Sequence, residues 1–166
     1  MRHLILIAHN LRSAHNVGSL LRTAEGLGVE HVFLTGYTPY PLVSPDERLP
    51  HLAQKIAKQI NKTALDAEKS LDWQHVSDTE SVLADLRADG YTIAAIEQAA
   101  GSITLPDYAP PEKLALIVGR EVEGIEPEVL LLCDTILEIP MFGRKESFNV
   151  VQAAAMALYH CRFMTI

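Results

Sequence analysis

An α/β fold, with helices on both faces of a parallel sheet, is what this sequence predicts, and three observations carry the prediction. Short apolar runs at 3–8, 31–34, 91–96, 114–118 and 135–139 are mostly bounded by polar residues or glycine, and several lack the period-2 alternation of a strand with one wet face. Helical patterns lie between them, so strand and helix alternate and crossover connections follow. The 166 residues, 48% hydrophobic and 21% charged, suit one ordinary domain over 1–166, long enough to bury about 70% of its unfolded surface. A ligand is then expected at the carboxyl ends of the strands, where the loops carry the chemistry.

The first run, 3–8, reads as a central strand and leads into Asn10-Leu-Arg-Ser-Ala-His-Asn-Val-Gly-Ser-Leu-Leu-Arg-Thr-Ala-Glu25. Val17, Leu20, Leu21, Ala24 and Leu27 form one helical stripe, and Gly26 and Gly28 supply the stop. With Asn16 as the cap, Gly18, Arg22 and Glu25 share a face offset from that stripe. Arg22 then stands beside a residue without a side chain, where a phosphate, a ribose or a second backbone can come close. A capped amphipathic helix with an incidental surface arginine explains the same pattern.

After the run at 31–34 comes Thr35-Gly-Tyr-Thr-Pro-Tyr-Pro-Leu-Val-Ser-Pro-Asp-Glu-Arg-Leu-Pro50, a long turn-rich loop of the kind that is often functional. Helices are expected at 50–68 and 78–89, followed by the strand at 91–96. The buried run Leu114-Ala-Leu-Ile-Val118 passes into Gly119-Arg-Glu-Val-Glu-Gly124, and Pro127 opens a helix at 126–132. Gly119 would let a ligand approach the strand end. The helix dipole explains Glu126 and Glu128 but not Glu121, which is expected in the same crevice. The last strand, 135–139, leads to Ile139-Pro-Met-Phe-Gly-Arg-Lys-Glu-Ser-Phe-Asn149 and a helix at 148–163. Ser147 or its neighbour is the expected cap, and Ala153, Ala154, Ala155 and Ala157 make the helix thin enough for close packing against a partner.

Charge excludes some functions and directs others. The formal net charge is -7, which argues against wholesale electrostatic capture of nucleic acid. Yet residues 1–70 are net +2 and residues 71–166 net -9, so a polyanion should meet the first part, with Arg144 and Lys145 as later contributors. A solvated basic helix face at 55–69 is the simpler reading of charge alone. The apolar runs are far too short to span a membrane, and the first ten residues turn polar too soon for a signal peptide, so a cytoplasmic location is expected. Cys133 and Cys161, in no CxxC spacing, read as reduced, packed thiols.

The sequence lacks GxGxxG, GxxxxGK[ST] and GxSxG, so no dinucleotide fingerprint, Walker loop or nucleophile elbow is present. The seven histidines show no ligand spacing, and no metal site is expected.

Three segments in order, Asn16 with Arg22-Thr-Ala24, Val118-Gly-Arg-Glu-Val-Glu-Gly124, and Ile139-Pro-Met with Gly143, Ser147 and Asn149, resemble the three motifs of the SpoU/TrmH-like branch of the SPOUT superfamily of RNA methyltransferases. The resemblance spans roughly 4–162. It implies a parallel-sheet α/β/α sandwich whose C-terminal part threads a deep trefoil knot, a homodimer, S-adenosylmethionine bound in the knot, and methyl transfer to a ribose 2′-hydroxyl of RNA. On that resemblance Asn16, Arg22, Glu121, Ser147 and Asn149 match the catalytic positions, while Ile96, Gly119, Ile139, Met141, Ser147 and Phe148 line the cofactor site. After Asn149 the sequence departs from many relatives with Val150-Val-Gln152, and no terminal extension of the kind many relatives use to grip RNA is expected. The RNA surface is therefore expected from Arg12, His15 and Arg22, the basic segment 48–69 with Lys55, Lys58 and Lys62, and Arg144 with Lys145.

Two roles stay open for Arg22, since a guanidinium pKa above about 12 suits a base poorly. It is either a base assisted by a phosphate or a clamp that positions phosphate and polarises the hydroxyl. The expected activity is an RNA ribose 2′-O-methyltransferase acting on tRNA. Ribosomal RNA is the alternative substrate, and a non-catalytic knotted RNA-binding module is the alternative class.

Overall fold

The computed structural model describes residues 1–164. Seven strands form one parallel sheet: β1 (His3–His9), β2 (His31–Thr35), β3 (Trp73–Val76), β4 (Thr92–Ile96), β5 (Ile103–Thr104), β6 (Lys113–Val118) and β7 (Thr135–Glu138). Their order is β3-β2-β1-β6-β4-β7-β5. In the centre, β1 runs beside β6 from His3 opposite Lys113 to Ala8 opposite Val118, and β6 in turn pairs with β4.

Successive strand residues point to opposite faces, and both faces are covered, which is why the central strands read as continuous apolar runs. Leu4, Leu6, Ala8, Leu114 and Leu116 pack on one side against α1 (Ala14–Gly26), α2 (Pro50–Ala64), α3 (Ala67–Ser70) and α6 (Val150–Phe163). Ile5, Ile7, Ile93, Ala115 and Ile117 pack on the other against α4 (Thr79–Ala88) and α5 (Pro127–Leu130). Cys161 is buried in the first layer and Cys133 half-buried by the second; burial pushes the thiols up to about 12 and about 11, so both stay protonated and inert at neutral pH.

Two strands are additional to the five expected. β3 is short and carries Gln74 and His75, and β5 has two residues, so neither has an apolar run; each sits at a sheet edge, where pairing needs little burial. The helix expected at 50–68 is instead two helices, because Leu65 and Asp66 both adopt left-handed conformations. No glycine marks that break. The cap of α1 is Ser13, whose hydroxyl accepts from the Asn16 amide, rather than Asn16. The helix therefore starts earlier, and the Asn16 side chain is released for other contacts. Likewise Asn149 caps α6 by accepting from Val151 N, in place of Ser147.

Gly18 is buried where α1 crosses α2. A Cβ there would lie 2.1 Å from the Ile60 carbonyl oxygen and 2.2 Å from Thr63 Oγ1. Of the three groups that could approach Gly18, a second backbone is the one that does.

Candidate active site

Three loops meet at the carboxyl edge of the central strands: 10–13 after β1, 119–126 after β6 and 139–149 after β7. The join between the first two is Glu121. Its Oε1 accepts from Asn16 Nδ2 at 3.1 Å and Ser13 N at 3.1 Å, and its Oε2 accepts from Arg12 N at 3.2 Å. The carboxylate thus satisfies amides at the start of α1, where the helix dipole also favours a negative charge. Burial opposes its charge, but hydrogen bonds from Asn16 and from the Glu121, Arg12 and Ser13 amides outweigh that and hold the carboxyl below the usual range.

A cavity opens beside this join. Ile96, Gly119, Glu121, Ile139, Ser147 and Phe148 all line it, so five of the six residues expected around a cofactor are brought together; Met141 is not among the lining residues. Nor is Asn149, whose Oδ1 is taken by its cap. At Gly119 the close approach comes from the chain itself, because a Cβ there would lie 2.5 Å from Ile125 Cγ1 and 2.8 Å from Gly124 C.

The cavity also takes in the two residues after Ile96, which the sequence pattern does not single out. Glu97 lines the cavity and its Oε2 accepts from Ile125 N at 3.0 Å, fastening the 119–126 turn to the end of β4. Gly124, in a left-handed conformation, leaves the space that this carboxylate fills. Gln98 Nε2 donates to the Glu146 carbonyl at 2.8 Å and ties the third loop to the same place. A carboxylate directly after a buried strand was the available signal.

Glu126 has more than the dipole to explain it. His9 is 4% exposed, and its Nε2 lies 2.7 Å from Glu126 Oε2, while its Nδ1 meets Thr79 Oγ1 at 2.9 Å and Thr35 Oγ1 at 3.2 Å. Asn10 Nδ2 donates to Glu126 Oε1 at 3.1 Å, and the Arg120 guanidinium stands 3.5 Å away. A polar cluster therefore lies under the first two loops and links them. Glu121, which the helix dipole of 126–132 did not account for, accepts amides at the start of α1 as well as facing the cavity.

Arg22 is exposed on α1 and makes no hydrogen bond or ion pair among the described residues. It lies six helical steps beyond Asn16, about 9 Å along the axis and about 120° round it, so the two do not converge within one chain. Arg12 is exposed and pairs with Glu123 at 2.7 Å, and His15 is exposed beside it. Lys55, Lys58 and Lys62 lie on the outer side of α2, which is held to α1 by the Thr63 hydroxyl donating to the His15 carbonyl at 2.8 Å. Arg144 and Lys145 are exposed in the third loop. Among the described residues no cluster of His, Cys, Asp or Glu is arranged to hold a metal, and no helix is long and apolar enough to cross a membrane.

The SpoU rRNA methylase family model matches residues 3–159. The chain belongs to that family. A relative in Staphylococcus haemolyticus, described as a TrmH family tRNA/rRNA methyltransferase, is 30% identical over 155 residues, covering 93% of this chain and 56% of its own length. The chain thus spans 56% of the length of this relative and of its Staphylococcus aureus counterpart, and 69% of a relative from Aquifex aeolicus. A solved structure described for 2-OH methylation of C/U34 on tRNA superposes with a TM-score of 0.76 at 25% identity, covering 96% of this chain and 94% of the other. An AdoMet-bound rRNA methyltransferase from Sinorhizobium meliloti superposes with a TM-score of 0.82 at 20% identity, over 98% of this chain and 57% of the other, and shows the same fold. The SpoU-family sheet is α/β and wholly parallel, as expected.

Proposed function

We propose that the chain is an S-adenosylmethionine-dependent RNA ribose 2′-O-methyltransferase that acts on tRNA, as one catalytic domain over 1–166 and as a homodimer in the cytoplasm. The observation that carries this reading is the Glu121–Asn16 join at the rim of a cavity built from strand-end loops. The knotted path belongs to the same proposal. It is supported by β6 lying between β1 and β4, by β7 lying outside β4, and by the return of α6 to the α1 layer.

The cavity suits the cofactor chemically. Ile96, Leu137, Ile139 and Phe148 offer apolar walls for an adenine, with backbone groups of 119–123 beside them for its polar edge. The Glu97 and Glu121 carboxylates line the same space, which favours a cationic ligand. When bound, S-adenosylmethionine supplies an electrophilic methyl whose sulfur leaves with the electron pair of the broken C–S bond.

The chain's own residues then align the attack and manage one proton. Glu121 fixes Asn16 through Nδ2, which leaves Oδ1 as the acceptor available to a ribose 2′-hydroxyl. Ser147, on the cavity wall, is a second polar contact for the reacting groups, and Asn149 acts by fixing the start of α6. Arg22 serves best as a clamp on the phosphate next to the ribose, because it is exposed, engages no carboxylate among the described residues, and offers a planar fork that matches phosphate oxygens. Arg12, His15, Lys55, Lys58, Lys62, Arg144 and Lys145 supply the remaining positive surface.

Transfer RNA is favoured because the tRNA-modifying structure matches over nearly its whole length. Ribosomal RNA is the second reading, kept by the Staphylococcus relative's double assignment. Calorimetry should show saturable S-adenosylmethionine binding, and mapping 2′-O-methyl groups in RNA from a strain lacking the gene should reveal one missing tRNA modification. Absence of cofactor binding refutes the reading.

A further inference from the structure

The long loop after β2 holds a residue that the proposed reaction does not use. Tyr37 is 54% exposed, yet its backbone is fixed on both sides. Its own amide donates to Asn10 Oδ1 at 3.1 Å. The preceding Gly36 is in a left-handed conformation, donates to the Val76 carbonyl at 3.0 Å, and leaves the space that the Asn10 carboxamide fills. The following Thr38 is buried; its hydroxyl donates to the Ala8 carbonyl at 2.9 Å and accepts from Leu11 N at 3.0 Å. A ring on so rigid a mount loses little freedom when it is covered.

The ring is also well placed. The Arg12 guanidinium pairs with Glu123 at 2.7 Å, and the Tyr37 hydroxyl together with the Glu123 carboxylate raises its pKa above the ordinary value. The Arg12 amide in turn donates to Glu121, which holds Asn16. Tyr37 is thus fastened to Asn10 of the same 10–13 loop whose Arg12 and Ser13 amides donate to Glu121, the residue that holds Asn16.

We propose that Tyr37 is a stacking platform for an unpaired RNA base next to the methylated ribose, with Arg12 taking the adjoining phosphate. This rests on the methyltransferase reading above and adds a substrate requirement to it. A paired base inside a duplex keeps its faces covered by its neighbours, whereas a loop nucleotide offers a free face to an aromatic ring. The Arg12–Glu123 pair is no obstacle, because an ion pair this exposed is held weakly and a phosphate can displace the carboxylate.

The test uses a short single-stranded oligoadenylate carrying one 2-aminopurine, and an RNA duplex of equal length with a fluorescein end label. Wild-type protein should bind the single strand with quenching of the 2-aminopurine. Tyr37→Phe should bind within about two-fold of wild type, while Tyr37→Ala and Tyr37→Leu should weaken binding at least about five-fold and lose the quenching. Duplex affinity and S-adenosylmethionine affinity should be unchanged in all three, with equal thermal midpoints confirming folding. Wild-type affinity for the single strand in Tyr37→Ala, equal binding by the Leu and Phe variants, or no single-strand binding by wild type each overturns the platform. The methyltransferase reading fails separately, through loss of cofactor binding by the wild-type protein.

Discussion

Glu121 shows how one side chain can serve both the fold and the site. Its hydrogen bonds to Ser13 N, Arg12 N and Asn16 Nδ2 stabilise the ionised form, so its folded pKa lies below the ordinary 4.5. A carboxyl depressed in this way contributes stability that is fully present above about 4.5 and is lost as the pH falls through the lower folded value. Glu121→Gln keeps the shape but removes the charge that accepts those amides, and should cost about 1–2 kcal/mol at pH 7. Thermal unfolding of the two proteins should show a gap that narrows as the pH is lowered below 4.5. A gap that stays constant with pH would mean that the carboxylate's charge contributes nothing. Activity should fall more than stability, because Asn16 loses the anchor that orients its amide.

At the level of elements, what was legible in the sequence follows from burial. The five strands read in advance are those with an apolar run, and the two edge strands escaped because Gln74, His75 and Thr104 need no dry environment. At α1 and α6 the residue that caps differs from the one the sequence pattern favours, for one physical reason. Several capping-type residues stand together before each helix, Ser13 with Asn16 and Ser147 with Asn149, and only the backbone angles decide which is used. Contacts between loops distant in sequence, such as Glu97 to Ile125 or His9 to Glu126, leave no local trace at all.

Helix α2 carries its own prediction. Its inner side is fitted so closely to α1 that Gly18 has no room for a Cβ, whereas Lys55, Lys58 and Lys62 face outward. Replacing all three with alanine leaves the α1 contact intact and removes three charges. RNA affinity should fall, and the slope of its logarithm against that of salt concentration should shrink by about two units, at about 0.7 per single-strand phosphate contact. Affinity for S-adenosylmethionine, measured in parallel by calorimetry, should not change. Equal losses for RNA and cofactor would show that α2 acts through the fold.

Over the whole molecule, charge and exposed apolar surface divide between the layers. The α4 side carries Asp78, Glu80, Asp85 and Asp89 against Arg87, while the α1 and α2 side carries Arg22, Lys55, Lys58 and Lys62, none of them ion-paired among the described residues, so a net charge of -7 leaves one face suited to a polyanion. On α6, Ala154, Ala157 and Leu158 face the core, and Ala155, Met156, Tyr159 and Phe163 line an apolar depression on the outer side. Tyr159 and Phe163 are 61% and 60% exposed and their rings meet at 4.8 Å. A second copy is the occupant that the proposed homodimer would supply: a two-fold axis beside α6 would let each patch cover its equivalent, and small Ala155 would permit the close approach. Sedimentation velocity should give a dimer at micromolar concentration. Tyr159→Glu, which places two like charges near that axis, should give a folded monomer with the same near-ultraviolet signature and unchanged S-adenosylmethionine affinity per chain. A wild-type protein that stays monomeric at 100-fold higher concentration, or a Tyr159→Glu variant that dimerises as before, would remove α6 as the interface.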